Sequence, residues 1–214
     1  ALIYKDLYPN KYDKVNARFD KSIVNSAIFA ARRFRYDRQH IAAVYDYSTA
    51  IFDSIREIHG LSEREKLLLQ LACILHDCGK FVNLKEHYEH SYDLIRRLSL
   101  PGLNTRELHI IANVSKYHSD LIPLPEHENY ASLAAEDRVL VAKLSAIIRL
   151  GDSLDKSHLQ KFREIDARLN NNELVVTVRA GGEATLEEWA FNQKSEFFND
   201  VFGIKAKLVI ERTV

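Results

Sequence analysis

Apolar residues recur every three or four positions through the first 160 residues, which is the spacing of an amphipathic α-helix. The clearest run begins after Asp37, a plausible N-cap, and ends before Gly60, because glycine commonly terminates helices. Two prolines, Pro123 and Pro125, predict a loop at 120–130. The pattern predicts a series of helices, and they cover residues 22–34, about 37–59, 62–76, about 86–98, 105–119 and about 133–154.

The segment after Ser62 has the strongest helix signal. Ser62 is followed three positions later by Glu65, which is the spacing of a capping box, and the run LLLQLACIL comes next. Since this run is apolar on nearly every side, we expect a central, buried helix. It ends in the sequence HDCGK, where Gly79 provides a natural break.

The pattern changes near residue 160, where alternation replaces the helical spacing. Residues 173–178 (ELVVTV) are rich in β-branched side chains and predict a strand, with KFREIDARL at 161–169 as its partner. Residues 184–200 predict a helix, and 204–212 alternate as a last strand. We therefore predict a mainly α protein, with a helical bundle over 1–160 and a small α/β (β-β-α-β) subdomain over 161–214. The core of this subdomain is expected to contain Trp189, Phe197 and Phe198.

The charge balance limits the classes of partner. The 214 residues contain 30 Lys and Arg against 30 Asp and Glu, so the formal net charge is zero. We therefore expect no broad binding to nucleic acid or to an anionic membrane, whereas a local basic site for phosphate stays open. A basic cluster before His40 is interpreted as a solvated helix end, with a polyanion site as the alternative; it contains Arg32, Arg33, Arg35 and Arg38.

Other features concern the compartment and the extent of the chain. Cys73 and Cys78 match neither a CxxC redox pair nor a zinc knuckle, so we expect them to pack within helices. The N-terminus has no signal-peptide pattern, and no apolar run reaches the length of a membrane span, so a cytoplasmic protein is expected. The absence of methionine suggests a fragment of a longer protein or an altered sequence.

Histidine and aspartate residues on separate predicted helices form a candidate metal site. Each shares a face with apolar residues, as His40 does with Val44 and Asp152 does with Ile148. A carboxylate at Asp77, directly after the apolar run, is costly to bury unless it is paired or bound to a cation. A single histidine on an apolar face is more often a hydrogen-bonded core residue, but the ordered set is typical of a metal site in a helix bundle. The predicted ligands are His40, His76, Asp77 and Asp152, with His90 and His118 for a second ion.

The same pattern suggests groups that bind phosphate. Lys80 follows Asp77 by three residues and Arg149 precedes Asp152 by about one turn, so each could meet a phosphate oxygen beside the ion. His118 is a further candidate for this role. We expect one or two divalent ions, among Mn, Fe, Mg, Co, Ni and Zn. The other histidines are interpreted as ordinary surface or turn residues; they are His59, His87, His109, His127 and His158.

The order of these motifs resembles a known superfamily. The set H…HD…D on successive helices is similar to the HD domain of metal-dependent phosphohydrolases, and the closer resemblance is to the C-terminal region of the exopolyphosphatase/guanosine pentaphosphate phosphohydrolase (Ppx/GppA) family. HDCGK also resembles the HDxGK of HD-GYP cyclic-dinucleotide phosphodiesterases, but the GYP segment is absent. The stretches that carry the Ppx/GppA resemblance are FRYDRQHIAAV (34–44), LACILHDCGKFVNLKEHYEHSYDLI (71–95), LPGLNTRE (100–107), YH (117–118), IIRLGDSLDKS (147–157) and EEWAFNQKSEFFNDVFG (187–203).

The resemblance implies a metal-dependent phosphohydrolase that acts on phosphoanhydrides or phosphate esters, such as polyphosphate or a nucleotide. It also implies that full-length members carry an N-terminal actin-like phosphatase module, and nothing in this chain resembles the glycine-rich phosphate loops of that module. Some members have lost the metal ligands of the HD region, whereas this sequence keeps them. The alternative is a non-catalytic module that binds a polyanion, forms a homodimer or regulates an attached phosphatase module.

Overall fold

The structure is a computed structural model, and it describes the backbone of residues 9–212 and the side chains of residues 18–211. Helices come first: α1 (Pro9–Arg32), α2 (Arg38–Ser54), α3 (Arg56–His59), α4 (Glu63–Leu75), a 3₁₀ helix (Cys78–Phe81), α5 (His87–Ile95), α6 (Thr105–Lys116), α7 (Glu128–Ala131) and α8 (Ala135–Ser153). Strands β1 (Phe162–Asn170) and β2 (Glu173–Ala180), helix α9 (Thr185–Phe202) and strand β3 (Lys205–Arg212) follow. This order confirms the predicted mainly α fold with a small β-β-α-β part at its C-terminal end.

The predicted signals at the helix termini are confirmed. The Asp37 carboxylate accepts hydrogen bonds of 3.1 Å from the backbone N–H groups of Gln39 and His40, so it caps α2. The Glu65 carboxylate accepts from the backbone N–H of Ser62 at 2.5 Å, and helix α4 is buried along most of its length. Gly60 ends α3 in the left-handed conformation, with φ of 63°. Local chemistry therefore sets these boundaries, as the sequence indicated.

Some boundaries differ from the prediction. The segment at 22–34 belongs to the longer helix α1, whose first half has no clear apolar spacing. The helix predicted at 37–59 breaks at Ile55, which has a non-helical φ of −111° and is fully buried. Arg56, the next residue, forms ion pairs with Asp53 and Glu63. The loop predicted at 120–130 includes the one-turn helix α7, which is held by hydrogen bonds of the Asn129 side chain.

The C-terminal part is a three-stranded sheet in the order β1-β2-β3. Strands β1 and β2 pair antiparallel through a turn at Asn171 and Asn172, both of which have positive φ. Strands β2 and β3 pair in parallel, so they need a crossover, and α9 provides it. The buried face of β2 follows the predicted alternation; it is formed by Leu174, Val176, Val178 and Ala180.

Expectations for single side chains have mixed outcomes. Phe198 is fully buried and Phe197 is half-buried, but Trp189 is 54% exposed, so its predicted place in the core is wrong. The reason is helical position: α9 buries residues 187, 190, 191, 194 and 198, and residue 189 falls on the outer face. Cys73 and Cys78 are buried free thiols.

The ends of several helices converge on one region of the molecule. Helix α2 packs against α4 and α8, and α6 packs against both α4 and α8. This packing brings together the first turn of α2, the C-terminal ends of α4 and α6, and the last turn of α8. Across the part of the chain that the structure describes, no helix is both long and apolar enough to cross a bilayer. The predicted absence of a signal peptide concerns the N-terminus, and its first eight residues lie outside the described range. The predicted domain ranges, 1–160 and 161–214, also begin or end at residues outside that range.

Candidate metal centre

A first group of donors lies where α2, α4 and α8 meet. The Nε2 atom of His40 lies 3.3 Å from His76 Nε2, 3.6 Å from Asp77 Oδ2 and 3.5 Å from Asp152 Oδ1. His76 Nε2 is also 3.5 Å from Asp77 Oδ2. Four ligands with bonds of about 2.1 Å in tetrahedral geometry would be separated by about 3.4 Å. The spacing of His40, His76 and Asp152, all buried, therefore fits a single divalent ion, and Asp77 Oδ2 lies within 3.6 Å of both histidines.

A second group lies on the other side of Asp77. Its Oδ1 atom is 3.4 Å from His87 Nε2 and 3.8 Å from His118 Nε2, and these two imidazole nitrogens are 3.2 Å apart. Asp77 Oδ1 is buried and has no hydrogen-bond partner among the described residues. A buried carboxylate oxygen without a partner is costly, and a cation would satisfy it. Asp77 is thus placed between two groups of donors, as a bridging carboxylate would be.

The surrounding hydrogen bonds orient the imidazole rings. His40 Nδ1 lies 2.9 Å from Asp155 Oδ2. The Nδ1 atoms of His76 and His118 lie 2.8 and 2.5 Å from the carbonyl oxygen of the residue three positions before each. Because a carbonyl oxygen only accepts, Nδ1 of His76 and His118 carries the proton, and Nε2 keeps its lone pair for the centre. This arrangement is usual for histidines that bind metals.

Burial controls the protonation of two of these histidines. Burial lowers the pKa of His76, and it lowers the pKa of His118 well below its usual range. Burial alone would favour the neutral acid at Asp77, but contacts with His76 and Lys80 outweigh it and lower the pKa of Asp77. Near pH 7 His76 and His118 are therefore neutral imidazoles and Asp77 is an ionised carboxylate, which are the forms that bind metals.

His40 has the opposite tendency. Burial lowers its pKa, but hydrogen bonds to Asp152 and Asp155 raise it to about 9. Burial likewise opposes ionisation of Asp152, yet the hydrogen bond with His40 holds the pKa of Asp152 well below its usual range. The carboxylates therefore create a strong local attraction for positive charge, which favours a cation.

The predicted site residues are only partly brought together. Lys80 Nζ donates to Asp77 Oδ2 at 2.6 Å and lies 3.3 Å from His158 Nε2, so it borders the centre. His90 stays apart, since within the described range no hydrogen bond, ion pair or ring contact links it to the other candidate ligands. Its neighbour on the same helix, His87, occupies the expected place, so the interpretation of His87 as a surface residue is wrong.

Arg149 has a different role from the one expected. Its guanidinium donates to the backbone carbonyls of Tyr117, Ser119 and Leu121, at the end of the segment that carries His118. Burial lowers the pKa of Arg149 to about 10. We therefore interpret Arg149 as support for this segment instead of a phosphate ligand.

Lys194 supports the same segment from the C-terminal part of the chain. It is 3% exposed, and its ammonium donates to the carbonyl of Ser119 at 2.5 Å and to Asp120 Oδ1 at 3.2 Å, with a longer contact of 3.4 Å to the carbonyl of His118. Burial, followed by the nearby Arg149 charge, lowers the pKa of Lys194 to about 8. Helix α9 is thus tied directly to a candidate ligand.

Residues 24–195 match the family model described as Ppx/GppA phosphatase, domain III. The chain belongs to this family. Curated relatives include guanosine-5'-triphosphate,3'-diphosphate pyrophosphatases from Photobacterium profundum, 28% identical over 54% of this chain, and from Vibrio vulnificus, 22% identical over 69%. The aligned regions span 24% and 29% of the length of these relatives. The chain therefore corresponds to about a quarter of the length of longer Ppx/GppA-family proteins.

A cavity of about 520 Å³ opens beside the centre of this Ppx/GppA domain. Asp77, Lys80 and His158 form part of its wall. The His158 ring stacks on His40 with centroids 3.7 Å apart, and its Nδ1 lies 3.0 Å from Asp37 Oδ2. His158 was expected to be an ordinary turn residue, but it lies close enough to His40 and Asp77 to complete a third possible ligand group. The remaining wall is formed by Phe34, Arg35, Tyr36, Asp37, Phe81 and Leu84.

The other histidines divide between the core and the surface. His59 is buried, which corrects the expectation that it lies at the surface, because both of its ring nitrogens are engaged by backbone groups. His109 is exposed, as expected. His127 is half-buried and hydrogen-bonds to the Tyr117 hydroxyl at 3.1 Å.

Proposed function

We propose that this domain is an HD-type phosphohydrolase site that binds two divalent ions. The observation that carries the proposal is the position of Asp77. One carboxylate oxygen faces His40 and His76, and the other, which is buried and accepts no hydrogen bond among the described residues, faces two further imidazoles. The first ion would be held by His40, His76, Asp77 and Asp152, and the second by Asp77, His87 and His118.

The donor set limits the identity of the ions. The first group offers two imidazole nitrogens and two carboxylates, and the second offers two imidazole nitrogens and one carboxylate. Such mixed sites suit Mn, Fe, Co, Ni or Zn better than Mg or Ca. Asp155 would fix the orientation of His40 through the hydrogen bond to Nδ1. A bound divalent ion supplies Lewis-acid polarisation of a phosphoryl oxygen and a lowered pKa for water.

The protein side chains would perform the remaining work of phosphate hydrolysis. Lys80 stands at the cavity wall, where its ammonium can donate to a non-bridging phosphoryl oxygen. The cavity would hold the organic or anhydride part of the substrate beside Asp77. In the reaction, water attacks phosphorus, the bond from phosphorus to the leaving oxygen breaks, and that oxygen takes up a proton. The substrate is then a phosphate ester or phosphoanhydride.

The matched pair His87 and His90 provides the experiment. Both lie on α5, but only His87 contacts Asp77. We expect the protein to release phosphate or nucleotide from a panel of nucleotides, guanosine-5'-triphosphate,3'-diphosphate and polyphosphate when Mn²⁺ is supplied. The substitution His87→Ala should reduce the rate at least tenfold, and His90→Ala should change it less than twofold. No turnover by the folded protein, or equal losses in both variants, would contradict the proposal.

A second candidate function is supported by a different surface. Arginines at 32, 33, 35 and 38 are exposed, and no ion pair or hydrogen bond of their side chains occurs within the described part of the chain. A basic patch on a domain that spans a quarter of its relatives' length fits a module that binds a polyanion for an attached phosphatase module. Salt-dependent polyphosphate binding that survives loss of the metal ligands, without any turnover, would favour this function.

A further inference from the structure

We propose that Asp37 and His158 position the ammonium of Lys80 for a substrate phosphate, and that they do so by fixing the tautomer of His158. This inference rests on the proposed phosphohydrolase function, in which Lys80 donates to a phosphoryl oxygen, and it adds two positioning residues. The three side chains come from separate elements: Asp37 caps α2, Lys80 lies in the 3₁₀ helix, and His158 lies in the turn between α8 and β1. All three form part of the cavity wall.

These side chains form a series of hydrogen bonds that ends at Asp77. Asp37 Oδ2 lies 3.0 Å from His158 Nδ1, and His158 Nε2 lies 3.3 Å from Lys80 Nζ. The ammonium donates to Asp77 Oδ2 at 2.6 Å. Because an ionised carboxylate only accepts and an ammonium only donates, the imidazole donates through Nδ1 and accepts through Nε2. The groups at its two ends therefore favour a single tautomer of His158.

Lys80 keeps one donor for a ligand. Its ammonium carries three N–H groups, and the contacts with Asp77 and His158 use two of them. Within the described part of the molecule, the Lys80 side chain makes no other hydrogen bond. Two fixed acceptors restrict the rotation of the ammonium. The third N–H group therefore has a defined direction for a phosphoryl oxygen bound beside Asp77.

The turn that carries His158 is held by two buried carboxylates. Asp155 is 1% exposed, and it accepts hydrogen bonds from the backbone N–H and the side-chain amide of Gln160 at 2.8 and 2.9 Å. Glu187 is fully buried and accepts from the backbone N–H of Ser157 at 3.1 Å. His158 itself has φ of 57°, a left-handed conformation that is unfavourable for a non-glycine residue. The surrounding backbone therefore fixes the imidazole in place, as a positioning role requires.

The substitution Asp37→Asn changes the tautomer without removing the helix cap. Asn is as good an N-cap as Asp, so its side-chain oxygen can keep the bonds to the N–H groups of Gln39 and His40. Its other terminal atom becomes an NH₂ donor, which requires His158 to accept at Nδ1 and to carry its proton on Nε2. Nε2–H would then face the Lys80 ammonium. Two donors would meet, so Lys80 would turn away.

Two measurements follow this substitution. In protein that carries ¹⁵N-labelled histidine and is loaded with Zn²⁺, nuclear magnetic resonance should show His158 protonated on Nδ1, and Asp37→Asn should move the proton to Nε2. Calorimetric titration of the Mn²⁺-loaded protein with inorganic phosphate should show the affinity reduced about tenfold by Asp37→Asn, with the affinity for Mn²⁺ unchanged. Removal of a negative charge would by itself strengthen phosphate binding, so the expected sign is opposite to a simple charge effect.

The effect must pass through Lys80. Asp37→Asn should therefore cause no further loss of phosphate affinity in a Lys80→Met background. His158→Gln, whose side-chain oxygen can accept from Lys80, should retain more phosphate affinity than His158→Ala. Asp200→Asn is the matched control, because Asp200 is exposed on α9, and it should change neither measurement.

Three results would overturn the inference: unchanged or tighter phosphate binding by Asp37→Asn, a proton on His158 Nε2 in the original protein, or an equal loss in the Lys80→Met background. Reduced affinity for Mn²⁺ in His158→Ala would also overturn it, because His158 would then be an ion ligand. Ion binding and turnover together with any of these results reject this inference alone. Absence of ion binding rejects the phosphohydrolase site, and this inference with it.

Discussion

Gly79 sets the distance between α5 and the 3₁₀ helix that follows Asp77, and replacing it should disturb both stability and the second ion site. A Cβ atom at Gly79 would lie 2.0 Å from the backbone oxygen of His87 and 2.4 Å from the backbone nitrogen of Ser91. The Gly79 N–H also donates to the Ser91 hydroxyl at 2.9 Å, and that hydroxyl donates to the His76 carbonyl at 2.5 Å. The two segments are therefore in backbone contact.

The size of the effect follows from these distances. Real Cβ atoms do not approach other atoms closer than 3.0 Å, so Gly79→Ala requires α5 to move by about 1 Å or more. The obstacle is backbone, which cannot rotate away as a side chain does. Overpacking costs about 1–3 kcal/mol, and we expect about 3 kcal/mol here. For a chain of this length, that corresponds to a fall in melting temperature of roughly 6–12 °C.

Thermal and chemical denaturation followed by circular dichroism would measure the loss of stability. Calorimetric titration with Mn²⁺ would measure the affinity of the second ion site. The shift carries His87 away from Asp77, so affinity at that site should fall with stability. Gly182→Ala is the control, because its Cβ would meet nothing within 4 Å. A Gly79→Ala variant within 1 kcal/mol of the original protein, with unchanged ion affinity, would refute the packing argument.

Two further predictions concern buried groups outside the ion ligands. Lys194→Met removes the hydrogen bonds that Lys194 donates to the segment carrying His118, so denaturation should show a loss of about 1–3 kcal/mol in the free energy of unfolding. Titration should show the affinity for Mn²⁺ reduced several-fold. An unchanged affinity would contradict the supporting role. His59 accepts from the Leu61 N–H and donates to the Phe52 carbonyl, and burial lowers its pKa. The stability that neutral His59 contributes is present above about pH 6.5 and is lost as pH falls through its folded pKa. The free energy of unfolding of His59→Gln should therefore fall less steeply than that of the original protein between pH 7.5 and 5. An unaltered slope would count against this.

Much of the fold follows from local signals in the sequence. Asp37 and the pair Ser62 and Glu65 predict helix starts because a side-chain carboxylate within three residues satisfies free N–H groups. The tail is predicted because β-branched alternation and Asn or Gly turns act over short distances. Neither the break at Ile55 nor the outward position of Trp189 has such a local signal, since each depends on which face neighbouring helices cover.

The candidate site shows the same limit. The prediction placed His40, His76, Asp77 and Asp152 together because each falls on an apolar helix face or at the end of a buried helix. It could not separate His87 from His90, which lie about one turn apart, because the choice depends on which side of α5 faces Asp77, and tertiary packing sets that. Asp155 did have a signal that was missed, since it lies three residues after Asp152 in the sequence GDSLDKS.

Arg149 and Lys194 illustrate why charge alone does not predict a phosphate ligand. Both are long basic side chains near the centre, but each is buried and donates hydrogen bonds to backbone carbonyls of residues 117–121. Because Arg149 lies one turn before Asp152, the sequence indicated that it is near the centre. It did not indicate that the guanidinium points to the backbone of residues 117–121. Lys194 lies more than 40 residues further along the chain, and only tertiary packing brings it to the same segment.

The central claim is that six side chains, Asp77 and five others around it, hold two divalent ions. Native mass spectrometry of the folded chain, titrated with Mn²⁺ after removal of metals, tests it most directly. The account predicts two ions per chain, with a parallel rise in melting temperature as the ions bind. A folded chain that takes up no ion, and whose melting temperature does not respond to Mn²⁺, would contradict it.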